Sequence, residues 1–347
     1  MNNIEKRKEL IESLERELNA RIVTFVTGDR AGLETRIAGD SLPLLSSLLS
    51  RLEEIQERVA LFLYTPGGDT IAAWGMVNLL RQYGKKFAVV IPFRALSAGT
   101  LIALGADEIY LGRHGFLSPI DPSVASPFNP VPEGLNPQAP RQLLAVSVED
   151  LAGFLDLARN ELKLSDQESL VNVLQIISNR VHPLALGAVY RAREQSASLA
   201  RRLLERHIDD SKKIEQIVDK LTKELPTHNY LIGRDEARDY IGITLQKITP
   251  TQETLMWELY QQYAEWLQLT EPYSPILDIG TEQQKRVVYE RAAIEILHNG
   301  TLYHYIYLAE KDLIRMQIPQ QGIPTEQVAE RIVYQGWRAF KDGEVLQ

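Results

Sequence analysis

The sequence predicts an α/β fold built on a mainly parallel sheet with flanking helices, plus a small α+β C-terminal extension. Three observations lead there. Residues 59–64 and 87–91 are almost wholly apolar runs with the length and the β-branched and aromatic content of strands buried on both faces. Each run is followed by a turn of small residues, Thr65-Pro66-Gly67-Gly68-Asp69 and Leu96-Ser97-Ala98-Gly99-Thr100, that opens a helix-like segment. Strand, helix and strand then alternate, and right-handed crossovers turn that alternation into parallel pairing.

Taken in order, residues 2–19 alternate charge with Ile and Leu at helical spacing and read as a helix with a solvated or subunit-contacting face. Residues 21–26 read as a strand, and 41–58 carry leucines at helical spacing. Residues 71–80 form a helix between the two apolar strands. Residues 98–106 hold almost no polar side chain, which predicts a helix buried on all sides, ending at Asp107-Glu108 before a short strand at 109–111. The Pro-, Asn- and Gly-rich stretch 125–141 reads as a loop able to cover a site. Residues 148–180 and 183–225 are strongly helical, and the arginines at 191, 193, 201, 202 and 206 fit a solvated helix face. Beyond residue 248 the pattern gives a helix at 255–267, a hairpin over 292–307 around Asn299-Gly300, and a last helix from Thr325. The expected division is a helix at 1–19, a catalytic domain at 20–248 and an extension at 249–347.

Composition narrows the function classes. Among 347 residues the net charge is −8 and the basic residues are scattered among acidic ones, so nucleic acid is an unexpected partner. There are no cysteines, which excludes thiolate catalysis and disulfides and fits a reducing compartment. No signal peptide or membrane span is expected, and a cytoplasmic location follows. No metal site or cofactor is expected, because no histidine–carboxylate spacing repeats on one helix face.

The two small-residue turns bring chemistry. Backbone N–H groups at a strand-to-helix turn are unpaired and aim at whatever sits there, and Gly67 and Gly68 have no side chain to block a carbonyl oxygen. Ser97 puts a hydroxyl at the first turn of the next helix, either as an N-cap or as a nucleophile. The opposing Gly-Gly turn favours the nucleophile.

The runs Leu61-Phe-Leu-Tyr-Thr-Pro-Gly-Gly-Asp-Thr-Ile-Ala-Ala73, Ala95-Leu-Ser-Ala-Gly-Thr-Leu-Ile-Ala-Leu-Gly-Ala-Asp-Glu-Ile-Tyr110 and Leu117-Ser-Pro-Ile-Asp-Pro122 closely resemble the serine dehydrogenase proteinase family. That family belongs to the ClpP/crotonase superfamily and is akin to signal peptide peptidase A. The resemblance continues through Val181-His-Pro-Leu-Ala-Leu-Gly187 and Thr227-His-Asn-Tyr-Leu-Ile-Gly-Arg-Asp-Glu-Ala-Arg-Asp-Tyr-Ile-Gly242. It implies a ClpP/crotonase-like fold, Ser97 as nucleophile, and an oxyanion hole from the amides of Gly68 and Ala98 with Gly67 shaping the turn. It also implies a homo-oligomer acting on peptides or unfolded protein.

The base departs from the better-known patterns. No lysine lies between Lys86 and Lys163, so a simple Ser-Lys dyad does not fit. Matching to Clp-type peptidases puts Asp121 at the histidine position and Asn229, beside His228, at the aspartate position. The expectation is an exchange of roles, with His228 taking the proton from Ser97 and Asp121 orienting the imidazole. The alternatives are that His228 caps the following helix and Asp121 ties its turn, with His182 or His114 as the base. Two other function classes stay open: a catalytically silent, oligomeric scaffold or partner-binding protein, and a crotonase-type enzyme holding an acyl-CoA enolate.

Overall fold

The computed structural model describes residues 3–120, 123–124, 128–129, 146–147, 153–320 and 323–346. Helix α1 (Ile4–Leu18) leads into β1 (Arg21–Thr27), α2 (Ser41–Leu49), β2 (Gln56–Tyr64), α3 (Thr70–Leu80), β3 (Gly84–Ile91), α4 (Ala98–Leu104) and β4 (Glu108–Leu111). A two-residue pair, β5 (Ser123–Val124) and β6 (Val146–Ser147), follows. Then come α5 (Gln167–Ser178), α6 (Pro183–Leu204), α7 (Ser211–Asp219), α8 (Pro250–Trp266) and α9 (Pro275–Ile279). The chain ends in β7 (Gln284–His298), β8 (Thr301–Gln320), β9 (Ile323–Lys341) and β10 (Glu344–Val345). The loop expected at 125–141 falls outside the described residues except for Phe128 and Asn129.

One eight-stranded sheet runs in the order β10-β9-β8-β7-β1-β2-β3-β4. Strands β1 to β4 are parallel, with Val23 opposite Leu61 and Leu61 opposite Val89. Strands β7 to β10 are antiparallel, and β7 lies antiparallel on β1 with Phe25 opposite Ile294. The sheet is therefore mixed, which corrects the expectation of a mainly parallel one. The physical reason is an exposed flank: β1 has no parallel neighbour on its second side, and the C-terminal hairpin covers that edge.

Side chains alternate across the sheet as strand geometry requires. Val23, Phe25, Leu61, Leu63, Val89 and Ile91 face a core shared with α2, α3, α4, α6 and α7. Ile22, Phe62, Tyr64 and Val90 face a second core made with α1 and α8. Every residue of α4 is buried, as its apolar sequence predicts. The 41–58 segment is helical only to Leu49, and β2 starts at Gln56.

One expectation on the periphery is overturned. The segment from Thr325 is strand β9, paired with β8 from Tyr303 opposite Lys341 through Gln320 opposite Ile323. Its Glu, Gln, Arg and Ala favour helix locally, but cross-strand pairs decide: Arg338 with Glu310 at 2.6 Å, Lys311 with Glu330 at 2.7 Å, and Tyr307 edge-on to Trp337. The hairpin turn itself is as read, with Asn299 and Gly300 both at positive φ, the backbone of a tight two-residue hairpin loop. Helix α1 has the solvated face expected of it, with Glu5, Lys6, Glu9, Glu12, Arg16 and Glu17 exposed, and buries its other face. Leu10, Ile11, Leu14 and Leu18 pack into the second core beside Leu259, Tyr263 and Trp266 of α8. Arg7, fully buried, forms a two-pronged ion pair with Glu295 of β7 and lies 4.1 Å above the Trp266 ring.

Candidate active site

Open parallel sheets place their sites beyond the C-terminal ends of the strands, where β2 and β3 give way to the two turns. The turns continue the sheet's hydrogen bonding: the Thr65 amide donates to Arg94 O at 2.9 Å and the Leu96 amide to Thr65 O at 3.1 Å. This fixes Gly67 against Ser97. A Cβ added at Gly67, whose φ is +109°, would stand 2.8 Å from Ser97 Cβ and 3.4 Å from Ser97 Oγ. Glycine is what lets the turns meet.

Gly68 is held from its other side. The Ile37 amide donates to Gly67 O at 2.9 Å, and the Asp69 amide donates to Ile37 O at 2.8 Å. With φ at +150°, a Cβ on Gly68 would lie 2.6 Å from Ile37 N and closer still to its carbonyl oxygen. Asp69 then caps α3, its Oδ1 accepting from the Ile71 amide at 2.7 Å and the Ala72 amide at 3.3 Å. The 28–37 segment is in turn tied to β7: Gly28 N and Thr35 Oγ1 donate to Arg291 O, and the Arg291 guanidinium donates to the carbonyls of Leu33 and Glu34. A C-terminal strand thus braces the glycine turn.

Ser97 occupies the cap position of α4, yet its side chain makes no capping hydrogen bond. Its backbone sits at φ 51°, ψ −111°, a conformation costing on the order of 1–3 kcal/mol for a residue with a Cβ and found where surrounding structure imposes it. Such a strained strand-to-helix turn is the usual way to push a serine hydroxyl out of a sheet. Two buried hydroxyls absorb the neighbouring amides. Thr65 Oγ1 accepts from Gly67 N at 3.0 Å, and Ser118 Oγ accepts from Ser97 N at 2.7 Å. Among the described residues, the amides of Gly68 and Ala98 meet no acceptor. A serine hydroxyl flanked by two unclaimed amides at a helix start is what a tetrahedral acyl-transfer intermediate needs.

The structure brings together Gly67, Gly68, Ser97 and Ala98. It does not hydrogen-bond His228 to Ser97, and Asp121 lies outside the described residues. His228 sits in the turn at 227–230, in a segment drawn toward the site by paired bonds between Leu117 and Ile232, at 3.0 and 2.9 Å. His182 caps α6, its Nδ1 accepting from the Leu184 amide. The exposed His114 ring packs on Trp257 at 4.4 Å. Thr65, Ser118 and Ile37 escaped the sequence reading. A hydroxyl that accepts a distant amide leaves no spacing signature, although Thr65 and Ser118 both stand inside the motifs at 61–73 and 117–122.

A mixed α/β sheet here brings to its strand ends a serine hydroxyl and two amides that meet no acceptor among the described residues, an arrangement suited to acyl transfer. Residues 1–142 match the family described as ClpP-like SDH-type serine proteinase, and this part of the chain is similar to it. Two uncharacterized proteins of Methanocaldococcus jannaschii are similar in sequence. MJ1495 is 27% identical over 266 residues, 75% of this chain and 78% of its own. MJ0137 is 25% identical over 204 residues, 59% of each chain. Among solved structures, a mutant of the 1510-N membrane-bound stomatin-specific protease aligns with a TM-score of 0.38 at 14% identity, over 65% of this chain and 79% of that one. A mutant of ClpP1 from Listeria monocytogenes aligns with a TM-score of 0.35 at 16% identity, over 69% and 99%. Among the described residues no helix is long and apolar enough to cross a membrane.

Proposed function

We propose that the chain cleaves peptide bonds through an acyl-enzyme on Ser97, with the oxyanion held by the amides of Gly68 and Ala98 and with Gly67 shaping the turn. The observation that carries this reading is the Ser97 hydroxyl, which makes no capping bond, beside two amides that meet no acceptor among the described residues. Peptides or unfolded protein are the substrates, and residues 20–248 form the catalytic unit between the flanking segments 1–19 and 249–347. The chain works as a cytoplasmic homo-oligomer. The test is labelling by an active-site-directed fluorophosphonate probe. A modified serine at position 97 supports the reading, and a folded protein that takes up no probe supports the silent scaffold instead.

His228 is the proposed base and Asp121 its orienting carboxylate. The support is topological: the Leu117–Ile232 pairing holds the segment of His228 beside the segment that precedes Asp121 in the sequence. Removing a positioned general base costs about 10²–10⁴-fold. We expect His228→Ala to lower kcat by that amount and to abolish the acid limb of the pH–rate profile. A profile identical to wild type would give the role to another group.

Gly68→Ala separates the oxyanion hole from the nucleophile. The new Cβ collides with the Ile37 backbone and turns the amide away, so kcat falls about 10²–10³-fold. Circular dichroism spectra should match wild type, and unchanged kcat would remove Gly68 from the hole.

A further inference from the structure

Resting on the peptidase reading, we infer that Ser118 is a positioning residue that aims the Ser97 nucleophile and confines the oxyanion to Gly68 and Ala98. Ser118 is 1% exposed. Its hydroxyl accepts from the Ser97 amide at 2.7 Å and donates to Pro119 O at 3.0 Å, so both of its hydrogen-bonding functions are used in fixed directions. Its own amide donates to Thr100 Oγ1 at 3.0 Å, and that hydroxyl, fully buried on α4, donates to Ala95 O at 2.9 Å. The chain of bonds runs from the residues after Ser97 to the residues before it and encloses the strained turn.

Two consequences follow for the chemistry. Ser97 N–H lies next to the nucleophile and would compete for the oxyanion if it were free, and Ser118 removes it from that role. Thr65 does the same for Gly67 N–H on the facing turn. The hole is left with one donor from each turn for the oxyanion. Ser118 also resists relaxation of the Ser97 φ, because returning to an ordinary backbone conformation would swing the amide off its acceptor. A nucleophile displaced by about 1 Å loses on the order of 10²-fold in rate.

Ser118→Ala and Ser118→Cys test this together. Cysteine keeps the buried volume but accepts an amide hydrogen bond poorly, so it covers the case in which the alanine variant does not fold. In both, we expect kcat per active site, counted by fluorophosphonate titration, to fall about 10–100-fold with KM nearly unchanged. The second-order rate of probe capture should fall in parallel. A purely structural Ser118 would lower the melting temperature or the titratable fraction and leave kcat per labelled site at the wild-type value, which overturns the inference. Wild-type protein is the control for the reading beneath it: if it captures no probe, the peptidase assignment fails and this inference with it.

Discussion

Ser97→Ala is expected to abolish probe labelling and to lower peptide hydrolysis on the order of 10⁶-fold, the scale on which loss of a serine nucleophile registers in a triad enzyme. Stability should not fall. The wild-type side chain makes no capping bond, and shortening it relieves no packing constraint except beside Gly67. The measurement is turnover of an unstructured protein substrate by purified variant and wild type, with melting temperature alongside. Residual activity within tenfold of wild type would move the nucleophile elsewhere. A small remainder well above background is compatible with the assignment, since the two amides still stabilise attack by water.

The largest effect on stability is expected at Glu295. Arg7 and Glu295 have no exposed side-chain surface, and the carboxylate also accepts from the Tyr263 hydroxyl. Removing one member of a buried ion pair leaves the other charge uncompensated, at a cost of roughly 3–5 kcal/mol. Glu295→Ala should therefore lower the melting temperature by about 4–7 °C, using an unfolding entropy of about 2.1 cal/mol/K per residue for this chain. The paired replacement Arg7→Met with Glu295→Leu should recover most of the loss, since it leaves no charge behind. A Glu295→Ala variant as stable as wild type would mean that the pair is not buried in solution.

The same pair sets a pH dependence. Burial pushes the Glu295 carboxyl up, but the Arg7 charge and the hydrogen bonds it receives pull it below its ordinary value. A carboxyl whose folded pKa lies below its unfolded one adds stability that is complete above the unfolded pKa. That stability is lost as pH falls through the folded value. Acid unfolding should accordingly be less steep in the Arg7→Met, Glu295→Leu protein.

What was legible in the sequence follows from the range of the forces involved. The parallel half announced itself because strands buried on both faces must be continuously apolar, and β2, β3 and α4 are. The glycine and serine turns were legible because their requirement is a backbone one, visible in a single residue type. Strand β9 was not, since Glu, Gln and Ala at 325–341 speak for helix and only the partner strand overrules them. Nor was the burial of Arg7, whose counter-ion stands 288 residues away. The base belongs with these: its identity depends on which distant loop comes to rest beside Ser97, and no local pattern records that.

The brace from β7 to the glycine turn also has a meaning in time. Ribosomes add about 5–20 residues per second, so Arg7 waits roughly a quarter of a minute to a minute for Glu295 to be made. Throughout that interval β1 has one bare edge, and the 28–37 segment that steadies Gly67 and Gly68 lacks Arg291. The support that the 28–37 segment gives the glycine turn is thus completed only once β7 has been made, so two stretches far apart in the chain must meet late in its synthesis.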